Sequence, residues 1–175
     1  MLSAVVYSGE CHVHASVLPE AIARSLAALV PGVIDGIIRD VTLCVARDTP
    51  QAHAIADHAG CNLVEAATAV EILAKGLAAA RGERILVLEA GFAPEAGFLD
   101  EVGDLFDRTA SSAPDAAIMR VQPETMMQRL VPAFAPVRAI IARRAALAPG
   151  AGDLAALLRG FAAPVPLRTR LRRVV

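Results

Sequence analysis

The chain has 175 residues and a formal net charge of −1, from 17 lysines and arginines against 18 aspartates and glutamates. That length suits one domain with a sizeable core, so we expect residues 1–175 to form a single α/β domain. A charge this close to zero argues against general binding to polyanions, and no nucleic-acid partner is expected. Hydrophobic residues make up 55% of the chain but aromatic residues only 3%, so small aliphatic side chains must fill the core.

The sequence carries no sign of a membrane segment or an export signal. No apolar run reaches the roughly 18 residues that a membrane-spanning helix needs. Residues Met1 to Tyr7 lack a basic region and have the pattern of a strand rather than a signal peptide, so we expect a cytoplasmic protein. The three cysteines, Cys11, Cys44 and Cys61, are odd in number and widely spaced, which does not indicate a disulfide framework. Cys44 and Cys61 are expected to be small buried residues.

The first part of the chain alternates between strand and helix patterns. Short apolar runs bounded by turn residues predict buried strands, and apolar side chains at helical spacing predict the helices between them. In chain order these are a strand at 2–7, a helix at 15–30, a strand at 40–46, a helix at 50–59 and a strand at 61–64. Pro31-Gly32 is expected to end the first helix and Gly60 the second.

The alternation continues until Pro132 and Pro136 interrupt it. The predicted elements are a helix at 68–80, a strand at 84–89, a helix at 94–107 and a strand at 116–121. The segment 137–147 fits either a strand or a helix, and 153–160 fits a helix. Repeated strand–helix units indicate parallel crossovers, so we predict a three-layer α/β/α fold with a mostly parallel sheet, in which strands 2–7, 40–46 and 84–89 are mutually parallel.

The strand ends select the candidate ligand-binding residues. In open parallel sheets, ligands bind beyond the carboxyl ends of the strands, which here are followed by the loops 8–14, 46–51 and 89–94. Their polar residues Ser8, Glu10, Asp48 and Glu89 are therefore the candidate contacts for a bound cofactor. Two of them have an alternative role, since Asp48 could cap the helix that begins near residue 50 and Glu89 could be a surface carboxylate paired with an arginine.

The segment Glu10 to His14, after the first predicted strand, contains three residue types that bind Zn²⁺. His12 and His14 would share a face if the segment were extended. A second ligand pair at a recognisable spacing is absent, so a polar loop is favoured and a small metal-binding module is the alternative. Cys11 is disfavoured as a nucleophile, because it and its neighbour His12 would point apart.

Five segments carry a resemblance to a known family, and two of them, Ala21 to Gly36 and Ala54 to Gly60, are similar to its helices. Leu2 to Ser8 stands where the family has its first strand. Arg39 to Pro50 is similar to a strand that leads into an acidic nucleotide-binding loop, and Ala78 to Glu83 is similar to the run before the strand of the metal site. In this layout, which covers residues 1–95, the chain resembles the family 2 glycosyltransferases, and a small bacterial branch of them in particular. The resemblance implies a GT-A nucleotide-diphospho-sugar transferase fold.

The chain departs from that family at its nucleotide loop and its metal site. The aspartate that would contact the base or ribose is Val45, and the second aspartate of the loop is Pro50. The acidic metal motif becomes Glu89-Ala90-Gly91, in which Gly91 offers no side-chain oxygen. Because Mn²⁺ and Mg²⁺ prefer oxygen ligands, Glu89 could hold a metal only with waters and substrate phosphates completing the shell. The candidate for the family's catalytic base is Asp153, which follows Gly152.

The resemblance implies Mn²⁺ or Mg²⁺ with a nucleotide sugar as cofactor and partner, if the protein is active. A divalent cation offsets the charge on a departing nucleoside diphosphate. We therefore expect a divergent glycosyltransferase-like protein, a nucleotide-sugar transferase relative with weak or lost metal-dependent activity. The alternative is a non-catalytic binding or assembly protein on the same scaffold, and a homo-oligomer is allowed. The substitution Gly91→Asp is expected to strengthen Mn²⁺ or Mg²⁺ binding if the cleft is otherwise intact.

Arginines crowd the end of the chain. A run of this kind is most often a solvated or frayed end, and contact with a phosphate, a membrane or a partner is the alternative. The residues concerned are Arg168, Arg170, Arg172 and Arg173.

Overall fold

The computed structural model describes residues 1–9, 16–47, 49, 51–107, 114–147 and 150–174. Nine strands lie within these ranges: β1 (Leu2–Tyr7), β2 (Ile38–Ala46), β3 (Asn62–Ala66), β4 (Arg84–Glu89), β5 (Phe92–Pro94), β6 (Ala116–Arg120), β7 (Val137–Arg143), β8 (Val165–Pro166) and β9 (Leu171–Arg173). The α-helices within the same ranges are α1 (Leu18–Ala27), α2 (Val30–Ile34), α3 (Ala52–Ala59), α4 (Ala69–Ala79), α5 (Phe98–Asp107), α6 (Met126–Leu130) and α7 (Leu154–Arg159).

The main sheet has seven strands in the order β3-β2-β1-β4-β7-β6-β8. Strand β1 pairs in parallel with both β2 and β4, and β2 pairs in parallel with β3. The predicted parallel arrangement of the three segments 2–7, 40–46 and 84–89 is therefore confirmed. Strand β7 is antiparallel to β4 and to β6. The start of β7 consequently lies beside the end of β4, a relationship on which the site depends.

Side chains of β1 alternate between two cores, as the pleat of a strand requires. Ala4 and Val6 pack on the face covered by α1, α3 and α5, while Val5 and Tyr7 pack on the face covered by α4 and α7. All four are buried. A sheet with helices packed on both faces is the three-layer α/β/α fold that the sequence predicts, and the continuous apolar strands are explained by burial on both sides.

Two helix predictions are wrong in their extent. The predicted helix 15–30 corresponds to α1, which ends at Ala27, and a separate helix, α2, begins at Val30. Pro31 lies in the first turn of α2, where a missing N–H breaks no helical hydrogen bond. The predicted helix 94–107 begins only at Phe98 and is preceded by β5. Gly97, immediately before the helix, has a φ of 87°, which is outside the helical region. The ambiguous segment 137–147 contains a strand, β7, and not an α-helix.

The arginine-rich end is built into the fold and is not frayed, while the exposure of Arg168, Arg172 and Arg173 agrees with a solvated end. Strand β9 pairs antiparallel with β5 in a separate two-stranded sheet, and Leu171 is completely buried. Glu101 of α5 accepts hydrogen bonds from the backbone N–H of Arg168 at 2.7 Å and from the hydroxyl of Thr169 at 2.6 Å. This partner is remote in the sequence, and the crowding of arginines gives no sign of it.

Within the described ranges, every helix is too short or too polar to cross a bilayer.

Candidate functional site

The carboxyl ends of β1 and β4 meet at one edge of the sheet, where Tyr7 is directly opposite Glu89. A cleft of about 470 Å³ opens at this edge. Its walls come from β1, β4, the start of β7, the start of α4 and the segment that leads into α7. The lining includes Tyr7, Gly9, Glu89, Arg138, Asp153 and Leu158. The cleft thus lies next to the predicted loops after β1 and β4, but the described residues of the loop after β2 do not line it.

Glu89 is the last residue of β4, and its side chain is only 5% exposed. Its Oε2 atom accepts a hydrogen bond from Nη1 of Arg138 at 2.9 Å. A buried carboxylate needs such a partner, because its desolvation is otherwise uncompensated. The alternative role given to Glu89, pairing with an arginine, therefore agrees with this contact, although the pair is buried in the cleft wall and does not lie on an open surface.

Arg138 is the second residue of β7, and the antiparallel pairing of β7 with β4 brings it beside Glu89. Its Cζ atom lies 5.7 Å from the centre of the Phe92 ring, and Cζ of Arg173 lies 5.9 Å from the same ring. These distances permit cation–π attraction. The Nε atom of Arg138 is buried and has no hydrogen-bond partner in the described part of the chain. Arg138 was not among the residues that the sequence selects. The only available signal was its place in the segment that fitted either strand or helix.

Asp153 reaches the same cleft from a distant part of the sequence. It is the N-cap residue of α7, and its Oδ1 accepts a hydrogen bond from the backbone N–H of Ala156. The preceding Gly152 packs closely on α4, since a Cβ there would lie 2.9 Å from Cγ1 of Val70. The close packing positions Asp153 at the cleft, where its exposed carboxylate is available to a ligand. It remains a candidate for a catalytic base.

The other residues that the sequence predicts to contact a ligand either do not line the cleft or lie outside the described residues. Ser8 is buried, and its backbone N–H donates to the carbonyl of Cys44 at 2.9 Å, which extends the pairing of β1 with β2. Ser8 does not line the cleft. Glu10 and Asp48, together with the whole segment Glu10 to His14, lie outside the described residues. The N-cap position of α3 is held by Gln51.

At Val45 and Gly91, where the family resemblance implies acidic residues, this chain has residues that serve the packing and backbone of the fold. Val45 is completely buried in the core and cannot reach a ligand. Gly91 is buried and has a φ of 93°, a conformation in which any side chain with a Cβ is strained. Its N–H donates to Oγ of Ser25 at 2.9 Å, and its carbonyl accepts from the N–H of Val174 at 2.9 Å. Gly91 thus joins α1 to the end of the chain.

The described residues do not fit a divalent metal site. Glu89 is bound to a guanidinium, whose charge repels a metal ion, and Gly91 supplies no side-chain oxygen. No group of three His, Cys, Asp or Glu side chains suited to a metal exists among the residues described. Mg²⁺ and similar hard cations require several oxygen ligands, and one carboxylate already paired with arginine does not provide them.

The two described cysteines lie away from the cleft and have the packing role that the sequence predicts. Burial raises the pKa of Cys44 to about 12, and the nearby thiol of Cys61 adds to the effect. Burial also raises the pKa of Cys61, which is half-buried. A thiol that stays protonated at neutral pH is a poor nucleophile.

No family model matches the chain, and no curated protein matches it. Solved structures do. Glucosyl-3-phosphoglycerate synthase from Mycobacterium tuberculosis, in complex with Mn²⁺, UDP and glucosyl-3-phosphoglycerate, aligns with a TM-score of 0.65 and 17% identity over 95% of this chain and 68% of that chain. The same synthase with phosphoglyceric acid aligns with a TM-score of 0.61 and 16% identity, over 86% of this chain and 61% of that chain. A further mycobacterial protein aligns with a TM-score of 0.62 and 17% identity, over 99% and 64% of the two chains.

These similarities define the class of fold. The main sheet with its flanking helices is a GT-A-like glycosyltransferase fold, in agreement with the fold that the sequence resemblance implies. The chain spans less than two thirds of the length of two of the three solved structures described above. At such identities the likeness extends to the fold and not to the reaction.

Proposed function

We propose that this protein binds a nucleotide sugar in the cleft between Gly9, Glu89 and Asp153, and that metal-dependent sugar transfer is weak or lost. The observation that carries the proposal is the ion pair between Glu89 and Arg138 at 2.9 Å. The pair lies at the carboxyl edge of the sheet, where ligands bind in folds of this kind. It also engages the Glu89 carboxylate, which the family resemblance assigns to a metal.

Two observations support a nucleotide sugar as the ligand. The synthase from M. tuberculosis with the same fold has been crystallised with Mn²⁺ and UDP, and also with UDP-glucose. The cleft of this protein, at about 470 Å³, falls within the range of about 300–1,000 Å³ that is usual for small-molecule sites.

The expectation of weak transfer follows from the charge at the cleft. As a nucleoside diphosphate leaves, negative charge develops on it, and metal-dependent enzymes offset that charge with a bound cation. The Glu89 carboxylate is already paired with Arg138, and Gly91 has no side-chain carboxylate that could bind a cation. The same observation favours the second candidate function, a non-catalytic protein that retains the scaffold for binding or assembly. The metal-binding alternative for Glu10 to His14 concerns residues outside the described ranges and is tested by metal analysis of the purified protein.

A ligand screen by thermal unfolding tests the proposal. The probes are UDP, GDP, ADP, CDP and TDP with their common sugar conjugates, each with EDTA and with Mn²⁺. A ligand present at about 100 times its Kd stabilises a protein by about 2.7 kcal/mol, so we expect a clear rise in Tm for at least one probe. Ala155→Trp, which places a large side chain at the cleft wall, should abolish the rise.

The matched control is Ala163→Trp, which adds the same side chain at an exposed position that does not line the cleft. It should leave the rise unchanged. Release of free sugar from the best conjugate then separates the two candidate functions, because a transferase relative releases sugar and a binding protein does not. If no probe raises Tm in either buffer, the proposed function is wrong.

A further inference from the structure

Among the described residues, Arg138 has one hydrogen-bond partner, and it has donor capacity left over. Its Nη1 atom donates to Glu89, while its buried Nε atom has no partner among the described residues. A guanidinium carries five N–H donors in a planar fork that matches the oxygens of carboxylates and phosphates. The Nε atom is itself closed to the cleft, so a ligand would meet the other N–H groups of this partly exposed guanidinium. The cleft in which Arg138 lies therefore suits a ligand that supplies anionic oxygens.

The guanidinium is held in place before any ligand arrives. Glu89 fixes one end of it, and Phe92 lies beneath it with Cζ of Arg138 at 5.7 Å from the ring centre. The side chain of Arg138 is only 23% exposed. Fixing a binding group in advance reduces the entropy that is lost when a ligand binds. The arrangement is thus better suited to recognition than a mobile surface arginine would be.

The charge of the pair resembles that of a carboxylate-bound metal. A divalent cation held by two carboxylates has no net charge, and an arginine paired with one carboxylate also has none. Glu89 and Arg138 both line the cleft, and the guanidinium is the more exposed of the two side chains, at 23% against 5%. A second guanidinium, that of Arg173, lies 5.9 Å from the same Phe92 ring but does not line the cleft. Asp153 on another part of the cleft wall carries the opposite charge.

We propose that Arg138 takes the place of the divalent cation and binds the diphosphate of the nucleotide ligand without metal. The inference rests on the proposed function, since it names how the same cleft would hold its ligand. It also accounts for the poor fit of the described residues to a metal, because a guanidinium bound to Glu89 leaves that carboxylate unable to recruit one.

Calorimetry on the whole protein tests the inference with UDP, GDP, ADP, CDP and TDP in turn. Each diphosphate is titrated in EDTA and again in Mn²⁺. For the one that binds, we expect a Kd that differs by less than about twofold between the two buffers, because no metal bridge is formed. Because Arg138→Gln alone would leave Glu89 buried without its partner, the variant used is the neutral pair Glu89→Gln/Arg138→Gln. It should weaken binding by about 10- to 100-fold, the loss of a charge-assisted contact.

Two further variants separate charge from structure. Glu89→Gln keeps Arg138 and an amide oxygen that can still accept its hydrogen bond, so metal-free binding of the diphosphate should be retained. Arg39→Ala is the matched control, because Arg39 is an exposed arginine near the start of β2, at the opposite edge of the sheet, and it should bind as the wild type does.

The outcomes distinguish the two proposals. Binding that appears only with Mn²⁺, or that survives in the neutral pair, overturns the role of Arg138 and leaves the proposed function standing. Absence of binding to every diphosphate in both buffers overturns the proposed function, and the role of Arg138 with it. Metal-free binding that is lost in the neutral pair and kept in Glu89→Gln and Arg39→Ala supports both.

Discussion

Nη1 of Arg138 donates a hydrogen bond to Oε2 of Glu89 at 2.9 Å and so joins the start of β7 to the end of β4. The two residues are 49 positions apart in the chain, and they meet because β7 runs antiparallel to β4. The contact neutralises the carboxylate that the family resemblance would give to a metal. We therefore expect this contact to stabilise the cleft wall.

The first prediction concerns the stability of this pair. Arg138→Gln should lower the free energy of unfolding by about 3 kcal/mol, the low end for a broken buried pair, because Glu89 would be left charged without its partner. Replacing both, as in Glu89→Gln/Arg138→Gln, should cost clearly less. Urea unfolding of wild type, single and double variants at neutral pH measures the coupling. Effects that simply add would show that the two side chains do not stabilise each other.

The second prediction revises the expectation for Gly91→Asp. From the family resemblance alone, the new carboxylate is expected to strengthen Mn²⁺ binding. The φ of 93° at Gly91 makes any Cβ unfavourable by about 1–2 kcal/mol, and the position is buried. We now expect lower stability and no tight Mn²⁺ binding. Gly91→Ala is the control, because it introduces the same strain without a carboxylate, and calorimetry with Mn²⁺ compares the two. Tight Mn²⁺ binding by Gly91→Asp alone would reveal a relic of a metal site.

The third prediction concerns the packing of α4 on the sheet. A Cβ at Gly76 would lie 2.8 Å from Cγ1 of Val5 and closer still to Sγ of Cys44, and both neighbours are completely buried. Overpacking should lower the free energy of unfolding by about 1–3 kcal/mol, while the better helix propensity of alanine should raise it by about 1 kcal/mol. Because the first effect is the larger, Gly76→Ala should lower Tm.

Gly103→Ala provides the contrast, because a Cβ at Gly103 of α5 meets no described atom within 4 Å. It should be neutral or raise the free energy of unfolding by up to about 1 kcal/mol. If both substitutions raised Tm, the close approach of α4 to β1 and β2 would be wrong.

The fourth prediction is a pH dependence at Glu101. Burial alone would raise its pKa, but hydrogen bonds from the Thr169 hydroxyl and from the N–H groups of Arg168 and Thr169, with the charge of Arg168, hold the pKa below its usual value. A lowered pKa in the folded state means that this stabilisation is present above the unfolded pKa of about 4.3. It is lost as the pH falls through the folded pKa.

Glu101→Gln should therefore be less stable than wild type by about 1 kcal/mol at neutral pH, a modest value because the side chain is only half-buried. The difference should disappear in acid, once both proteins are neutral at this position. Asp100→Asn is the control, since Asp100 is the adjacent acidic residue on the exposed side of α5. Thermal unfolding across the pH range measures all three, and a constant difference at every pH would contradict the assignment.

The central strands could be predicted from sequence because their signals are local. Val5 and Val6 lie in a short apolar run, and the same holds for Leu86 and Val87 in β4, so burial on both faces can be inferred from neighbouring residues alone. The carboxyl-end rule then selected Glu89 correctly as a residue at the edge of the sheet. Strands β5, β8 and β9 were missed because they have two or three residues each, too few to give a periodic pattern.

The remainder of the site depends on contacts between distant segments. Arg138 was not selected because its role requires the antiparallel pairing of β7 with β4, which no local pattern encodes. The sequence could not show the positive φ of Gly91 either, since a glycine adopts positive and negative φ about equally readily. Asp153 was selected only through the family resemblance. Its approach to the cleft depends on the close packing of Gly152 on Val70.

A crystal structure of the protein grown with its best nucleoside diphosphate in EDTA tests the central claim most directly. The account predicts that the diphosphate lies in the cleft beside Gly9 and Asp153, with its oxygens within hydrogen-bonding distance of Arg138 and with the Arg138–Glu89 pair intact. A nucleotide bound at the opposite edge of the sheet would contradict the account. So would a site that fills only when Mn²⁺ is supplied and that holds the ion on Glu89 with Arg138 displaced.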